Sequence, residues 1–226
     1  NDPFVVDYAA HELGHQFGGR HNFNNCGGAP GDSFDIAYEP GSGSTIMCYA
    51  GICGATDLQA HSDPMFGAHS IEAIRSIVSA SQCGTLVATT NNPPAVTGGP
   101  TFTIPFNTPY ALTPGSAVDP DGDPMTFSWE QRDTTTVPVA IPLTDNGANP
   151  LSRVFPPSLS QARIIPRLSN LLANTLPAGE MLPGAGRTLH YRVVVRDNVA
   201  GAGGVAWADK NIVVNPNIGP FRVTAP

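Results

Sequence analysis

One eleven-residue stretch, HELGHQFGGRH at positions 11–21, constrains the fold of this chain more than any other. Apolar residues at helical spacing precede it and predict a helix over about residues 3–17. Within that helix His11 and His15 are four residues apart, so their side chains lie on the same face. Both imidazoles can therefore reach the same metal ion.

The glycines that follow this helix decide whether a third histidine joins the first two. Gly18 is predicted to end the helix, because glycine readily takes the left-handed conformation that closes a helix C-terminus. A continuous helix would instead carry His21 about 9 Å along the axis beyond His15. Three imidazoles with one open coordination position are typical of a catalytic zinc site, and Glu12 beside them can act as general base. We therefore predict Glu12 as the catalytic residue and His11, His15 and His21 as zinc ligands.

The HExxHxxGxxH pattern is much more specific than a histidine pair alone. A pair four residues apart often arises without a metal, whereas five specified positions with glycine at the required bend seldom do. The pattern resembles the signature of the metzincin zinc metalloendopeptidases, and of the bacterial reprolysin-like (adamalysin-like) members in particular. The resemblance is carried by His11, Glu12, His15, Gly18 and His21. It implies a secreted, zinc-dependent enzyme that hydrolyses peptide bonds, with a protein or peptide as substrate.

A second motif, STIMCY at positions 44–49, is similar to the Met-turn of that family. The resemblance assigns Met47 to the turn, as a hydrophobic floor under the histidines, whereas the sequence alone indicates only a core residue. Tyr49 is similar to the tyrosine that astacins and serralysins place near zinc, where it ligates the ion or donates to the tetrahedral intermediate. An ordinary half-buried tyrosine is the alternative. Asn22 departs from the pattern, since adamalysins usually have Asp and astacins Glu after the third histidine.

The resemblance implies that residues 1–88 form the C-terminal part of a metzincin catalytic domain, with a zinc helix, a Met-turn and a closing helix. A capped amphipathic pattern at positions 70–78 predicts the closing helix, with apolar side chains such as Val78 facing inward. Only ten residues precede His11, whereas metzincin domains carry a substantial N-terminal subdomain. We therefore expect this chain to be a fragment that is weak or inactive by itself.

All four cysteines lie in the first 88 residues, and they are not arranged as CxxC pairs. In an exported protein they are expected to form disulfides. Four cysteines allow three pairings, and the spacing does not decide between them. The favoured pair is Cys26–Cys53, which ties the loop after the third histidine to the segment beyond the Met-turn, with Cys48–Cys83 as the second. Free buried thiols are the alternative in a reducing compartment.

The composition changes after residue 88. Residues 1–88 hold nine acidic and two basic residues, whereas the remainder hold nine of each, together with nineteen of the 23 prolines. The polar, proline-containing residues 89–98 predict a linker. Alternation of apolar and polar residues between turn signals predicts an all-β antiparallel sandwich over residues 99–216. It resembles the immunoglobulin-, fibronectin- or cadherin-like modules of secreted bacterial enzymes, and residues 217–226 are a tail or the start of a further module. The predicted fold class of the whole chain is α+β.

Three carboxylates are clustered in the sequence Asp119-Pro-Asp121-Gly-Asp123. Their spacing offers oxygen donors suitable for Ca²⁺. The same residue types are the usual formers of a polar hairpin turn, which is the alternative interpretation. Zn²⁺ is thus the expected cofactor, and Ca²⁺ is a second candidate.

Charge and hydropathy exclude two classes of partner. The formal net charge of −7 argues against binding to a nucleic-acid backbone. No apolar run approaches the roughly 20 residues needed to span a bilayer. The sequence does not indicate an oligomeric state. Two functions remain: a secreted or cell-surface zinc endopeptidase, or a non-catalytic adhesion or scaffold segment with a vestigial metal site. An intact general base at Glu12 favours the enzyme.

Overall fold

The structure, a computed structural model, describes residues 3–81, 83–85 and 87–221 and is a mixed α+β fold. Helix α1 has a π-helical part, Val5–Ala10, that continues into an α-helical part, His11–Gln16; the other helices are α2 (Ala68–Ala80) and α3 (Leu168–Leu172). The strands are β1 (Ala95–Thr97), β2 (Phe102–Pro105), β3 (Tyr110–Leu112), β4 (Ser116–Val118), β5 (Thr126–Gln131), β6 (Arg163–Ile165), β7 (Arg187–Arg196) and β8 (Val205–Asn215). Within the described ranges, none of the helices combines the length and apolar character needed to cross a membrane.

The end of α1 is a tight turn built on glycine. Gly18 has a φ of 82°, in the left-handed region, as the sequence predicts. Its amide donates to the carbonyl of His15 at 3.0 Å, and the amide of Gly19 donates to the carbonyl of Gly14 at 2.8 Å. These bonds satisfy carbonyls at the helix C-terminus and reverse the chain toward His21.

The segment after α1 is irregular, apart from two short 3₁₀ turns at Phe34–Ile36 and Gly54–Thr56. A disulfide joins Cys26 to Cys53, the pair favoured from the sequence. The second expected pair, Cys48–Cys83, has to be corrected, because both thiols are free. Cys48 is buried and its Sγ donates to Oδ1 of Asn22, whereas Cys83 is exposed, so the two sulfur atoms occupy different environments.

Residues 95–215 form three sheets. The central sheet has the order β2-β8-β7-β5, with β2 parallel to β8 and the other pairs antiparallel. The remaining strands form two antiparallel pairs, β1-β4 and β3-β6. The parallel β2-β8 pair and helix α3 depart from the all-β antiparallel arrangement predicted for residues 99–216. The core between the sheets is apolar and includes Leu112, Trp129, Leu151, Ile165, Leu189, Tyr191, Val193, Val195 and Ile212.

The outer face of β7 departs from simple alternation. Val194 should point to solvent in a one-sided sheet, but it is fully buried. The chain around residue 67 covers this face, where a side-chain nitrogen of Arg196 donates to the carbonyl of Phe66 at 3.1 Å. Strands β5 and β7 therefore contact residues 66–68 of the first region (residues 1–88) on one face. On the other face they pack against the apolar core of the sheets.

Helix α2 begins earlier than the sequence pattern predicts. Its first residue is Ala68, and no side chain near the N-terminus caps it. Instead the Ala68 amide donates to Oε2 of Glu130 on β5 at 2.6 Å, so a distant carboxylate satisfies the helix end. Val78, expected to face inward, is 50% exposed. The predicted inward face of this helix is therefore only partly correct.

Several contacts cross the expected linker. Residues 95–97, within the predicted linker 89–98, form β1 and pair with β4. Glu72 on α2 forms salt bridges with Arg132 and Arg192. The boundary between the two regions stays a prediction. The predicted tail 217–226 is described as far as Phe221, and its last five residues lie outside the described part.

Candidate metal centre

Three imidazoles from α1 and the turn after it converge on one point. Nε2 of His11 lies 3.2 Å from Nε2 of His15 and 3.1 Å from Nε2 of His21, and the His15–His21 distance is also 3.1 Å. His11 is buried, whereas the other two are partly exposed, so the point of convergence is open on one side. The predicted ligand set is therefore assembled by the helix and its terminal glycine turn.

The outer nitrogen of each ring has its own acceptor. Nδ1 of His11 donates to the carbonyl of Ile46 at 2.7 Å, and Nδ1 of His15 donates to the carbonyl of Gly19 at 2.8 Å. Nδ1 of His21 lies 2.8 Å from Oδ1 of Asp32. An acceptor at Nδ1 places the proton there and leaves Nε2 of the neutral ring with a lone pair.

This arrangement fits a zinc ion. With protons on the three Nδ1 atoms, the Nε2 contacts cannot be hydrogen bonds between neutral rings, because each Nε2 presents a lone pair to the other two. A cation at the centre turns this unfavourable arrangement into a favourable one. Nitrogens bonded tetrahedrally to zinc at the usual 2.0–2.1 Å lie about 3.3 Å apart, close to the observed spacing. The three histidines can therefore hold a metal ion.

The surroundings favour the protonation states that metal binding requires. Burial lowers the pKa of His11, and the neighbouring His21 and His15 lower it further, against the opposing effects of the Ile46 hydrogen bond and of Glu12. The ring of His11 is thus kept neutral. Burial acts to raise the pKa of Asp32, but hydrogen bonds and charge from His21 and Arg20 outweigh it, and the pKa is lowered.

Met47 lies directly beneath the helix. It is fully buried and packs in a small cluster with Val6 and Ile46. A Cβ on Gly14 would overlap Sδ of Met47, so the glycine between the two histidines allows the helix to approach this side chain closely. The role of Met47 in a Met-turn stays a prediction.

Glu12 and Tyr49 flank the open side of the histidine cluster. Glu12 is exposed and lines a cavity of about 370 Å³ together with His11 and Tyr49. The Tyr49 ring centroid lies 4.6 Å from that of His21 in an edge-on arrangement. Burial raises the pKa of the Tyr49 hydroxyl, and the charges of Asp32 and Glu12 raise it further, so the phenol keeps its proton as a hydrogen-bond donor.

A buried carboxylate that the sequence analysis did not select organises the segment before Met47. Glu39 is 2% exposed, and its Oε2 accepts from the amides of Ser44 at 2.8 Å and Thr45 at 3.2 Å. Its Oε1 accepts from Nδ2 of Asn22 and from Oγ1 of Thr45. Glu39 thus connects the residue after the third histidine to the segment that leads to Met47.

Asp32 and Glu39 both lie in residues 27–46, an acidic segment rich in turn-forming residues. Charged residues in such a segment are usually solvated. Nothing in that pattern separates the buried Glu39 from the exposed Asp35. One sequence signal could have indicated Asp32 and Glu39. Their segment follows His21 closely, so its side chains can fold back to contact the histidine cluster.

The three aspartates of the second predicted site also lie together. One oxygen from each of Asp119, Asp121 and Asp123 falls within 4.8 Å of the others. Asp119 is buried, Asp123 is partly exposed and Asp121 is exposed. This cluster belongs to the β region and contains no histidine.

Comparison with known proteins gives one family match. Residues 1–84 match the family model described as metallo-peptidase family M12B, reprolysin-like. The match ends close to the predicted boundary at residue 88 and includes the three histidines, Glu12 and Met47. It supports a peptidase in this part of the chain, which the resemblance to metzincins implies.

Other comparisons add little. No curated protein matches the sequence. One solved structure, a nucleoside hydrolase-related hypothetical protein from Saccharophagus degradans associated with carbohydrate metabolism, shares 20% identity with a TM-score of 0.33. The match covers 66% of this chain and 29% of that one, so the present chain spans less than a third of its length. Residues 1–84 are therefore a metzincin-like region, similar to the reprolysin-like metallopeptidases, with a histidine triad that can hold a metal ion.

Proposed function

We propose that the first region is a zinc-dependent endopeptidase, with His11, His15 and His21 as the metal ligands. The observation that carries the proposal is the convergence of three Nε2 atoms within 3.2 Å of one another while each Nδ1 has an acceptor. A zinc ion held there would supply Lewis acidity, polarising the substrate carbonyl and lowering the pKa of water to about 7. The family match over residues 1–84 supports the same chemistry.

Glu12 is proposed as the general base and acid. Its carboxylate, on the helix turn that carries His11, accepts a proton from the attacking water and returns it to the leaving amine. Its exposure to the cavity gives it access to both. Tyr49 is proposed as a donor that stabilises the negative charge on the carbonyl oxygen, because its hydroxyl stays protonated and its ring lies against His21.

We propose that residues 99–216 form an immunoglobulin- or fibronectin-like sandwich module, which the predominance of β-strands and the apolar core support. We propose an extracellular location, supported by the Cys26–Cys53 disulfide, since such bonds persist in oxidising compartments. A peptide is the proposed substrate, supported by the cavity beside Glu12 and by the peptidase family match.

The test compares the wild-type chain with Glu12→Gln and Asp35→Asn variants, each loaded with one equivalent of zinc. Hydrolysis of quenched fluorescent peptides is measured together with zinc content. The expected result is that Glu12→Gln retains zinc but loses about 10²-fold or more of the rate, the usual contribution of a general base. Asp35→Asn, which changes an exposed carboxylate of the same region, should hydrolyse peptides like wild type. Equal rates of hydrolysis in wild type and Glu12→Gln would contradict the proposed role of Glu12 and favour the adhesion or scaffold alternative.

A further inference from the structure

The aspartate cluster of the β region contains a buried oxygen atom that has no donor. Asp119 is 9% exposed, and its Oδ1 accepts from the amides of Asp121 at 2.9 Å and Asp123 at 3.0 Å. Its Oδ2 is buried and has no hydrogen-bond partner among the described residues. A polar turn needs only the first oxygen, so the turn interpretation leaves the second unexplained.

The segment at residues 91–92 is attached to the same cluster. The amide of Asn92 donates to Oδ2 of Asp121 at 2.6 Å, and its Nδ2 donates to Oδ1 at 3.0 Å. Nδ2 of the preceding Asn91 donates to Oδ2 of Asp197 at 2.8 Å. Oδ1 of Asn91 is a second buried oxygen without a donor in the described part of the chain.

The aspartate cluster brings several negatively charged groups close together. Burial raises the pKa of Asp123, and the nearby carboxylates of Asp119, Asp121 and Asp197 raise it further. None of these four carboxylates takes part in a salt bridge within the described ranges. Three clustered carboxylates, one of them with a buried oxygen that has no donor, are the environment that a bound cation satisfies.

We propose that this cluster is a Ca²⁺ site, with carboxylate ligands from Asp119, Asp121 and Asp123. The donors are all oxygen, which suits a hard cation and not zinc. Several carboxylates on a loop suit Ca²⁺ better than Mg²⁺, which demands rigid octahedral geometry and retains most of its water. The ion holds residues 91–92 against the turn at 119–123 and thereby stiffens the segment that connects the two regions.

The test titrates the full chain, with its histidine site loaded with zinc, with Ca²⁺ and separately with Mg²⁺ by calorimetry. One Ca²⁺ per chain is expected, with a dissociation constant of about 10⁻⁴–10⁻³ M, the range of extracellular modules. Asp123→Asn should weaken Ca²⁺ binding at least about tenfold, because it removes one carboxylate ligand. The control Asp35→Asn, an exposed carboxylate in the other region, should bind Ca²⁺ like wild type. Hydrogen exchange of the amides of Asn92, Asp121 and Asp123 should slow when Ca²⁺ is added.

Three results of the titrations would overturn the site. They are no binding of Ca²⁺ up to 10 mM as a practical ceiling, equal affinity for Mg²⁺, and an equal loss of Ca²⁺ affinity in Asp123→Asn and Asp35→Asn. If Asp123→Asn does not fold, the wild-type titration and the location of the slowed amides still decide the question. Slowing confined to other parts of the chain would place the ion elsewhere and contradict the proposal.

Discussion

Oδ1 of Asp32 lies 2.8 Å from Nδ1 of His21, and the carboxylate thereby orients the only imidazole of the cluster that is not on α1. The other two rings use backbone carbonyls, at Ile46 and Gly19, as their acceptors. Oδ2 of Asp32 accepts from Nε of Arg20 at 3.2 Å, so the carboxylate is itself held in place. The orientation of the third imidazole therefore depends on a side chain, whereas that of the first two depends on the backbone.

Replacing Asp32 should weaken zinc binding. Asp32→Ala removes the acceptor that orients His21, and loss of such an outer partner typically costs 10–100-fold in metal affinity. We expect a rise of about tenfold or more in the zinc dissociation constant, measured by competition with a chelator of known affinity. Asp32→Asn, which keeps an oxygen acceptor, should lose less. Asp35→Asn is the matched control, and equal zinc affinity in it and in Asp32→Ala would show that the contact has no role in binding.

Replacing Glu39 should destabilise the fold. Glu39→Ala removes the acceptor of four donors in a buried environment, on Asn22, Ser44 and Thr45. A buried donor that is left without an acceptor typically costs about 1–3 kcal/mol. We expect the free energy of unfolding, measured in denaturant, to fall by about 3 kcal/mol or more. Asp35→Asn should change it by less than about 0.5 kcal/mol. A change of that small size in Glu39→Ala would contradict the assigned role.

The metal-free protein should lose stability as the pH falls below 6.5. Burial and the charge of Arg132 lower the pKa of His69 from 6.5, against the opposing charge of Glu72, and the pKa of His11 is also lowered from 6.5. Below pH 6.5 the unfolded chain therefore binds more protons at these two sites than the folded chain does. The free energy of unfolding consequently rises with pH across that window.

The measurement is denaturant unfolding in chelator between pH 5 and pH 7. His69→Gln should reduce the dependence of the unfolding free energy on pH, because the contribution of that ring disappears. The same slope in wild type and variant would show that His69 is not held neutral by the fold.

The two free thiols should react very differently. Burial raises the pKa of the Cys48 thiol well above its usual value, and the charge of Glu39 raises it further, which keeps the sulfur as an inert thiol. Cys83 is exposed. A thiol reagent should therefore modify one cysteine in the native protein and two after unfolding without reductant. Cys83→Ser should abolish the native reaction. If neither the native nor the unfolded protein has a reactive thiol, Cys48 and Cys83 form a disulfide and the prediction is wrong.

Much of the metal centre could be predicted, because it is local in sequence. His11 and His15 share a helix face at a spacing of four, and Gly18 adopts the left-handed conformation expected of it. His21 follows three residues later, too close for other elements to redirect it. The helical period and one glycine turn are thus sufficient to predict the triad.

The supporting residues could not be predicted in the same way. Glu39 and Asp35 lie in the same acidic segment, yet the first is buried under four donors and the second is exposed. Glu130 alternates with apolar residues on β5, a pattern typical of a solvent-facing position, yet it is buried and accepts from the first amide of α2. Such contacts join residues that are far apart in sequence, and no local period encodes them.

The sequence by itself determined which nitrogens meet, since the spacing of a helix and the freedom of a glycine are properties of the local chain. The tertiary structure alone decided which groups hold those nitrogens in place. Asp32 on His21 and Glu39 beneath the segment leading to Met47 acquire their roles only when the chain returns on itself. The role of a carboxylate depends on the hydrogen-bond donors around it. Those donors are set by the tertiary contacts of the folded chain, which the local sequence does not specify.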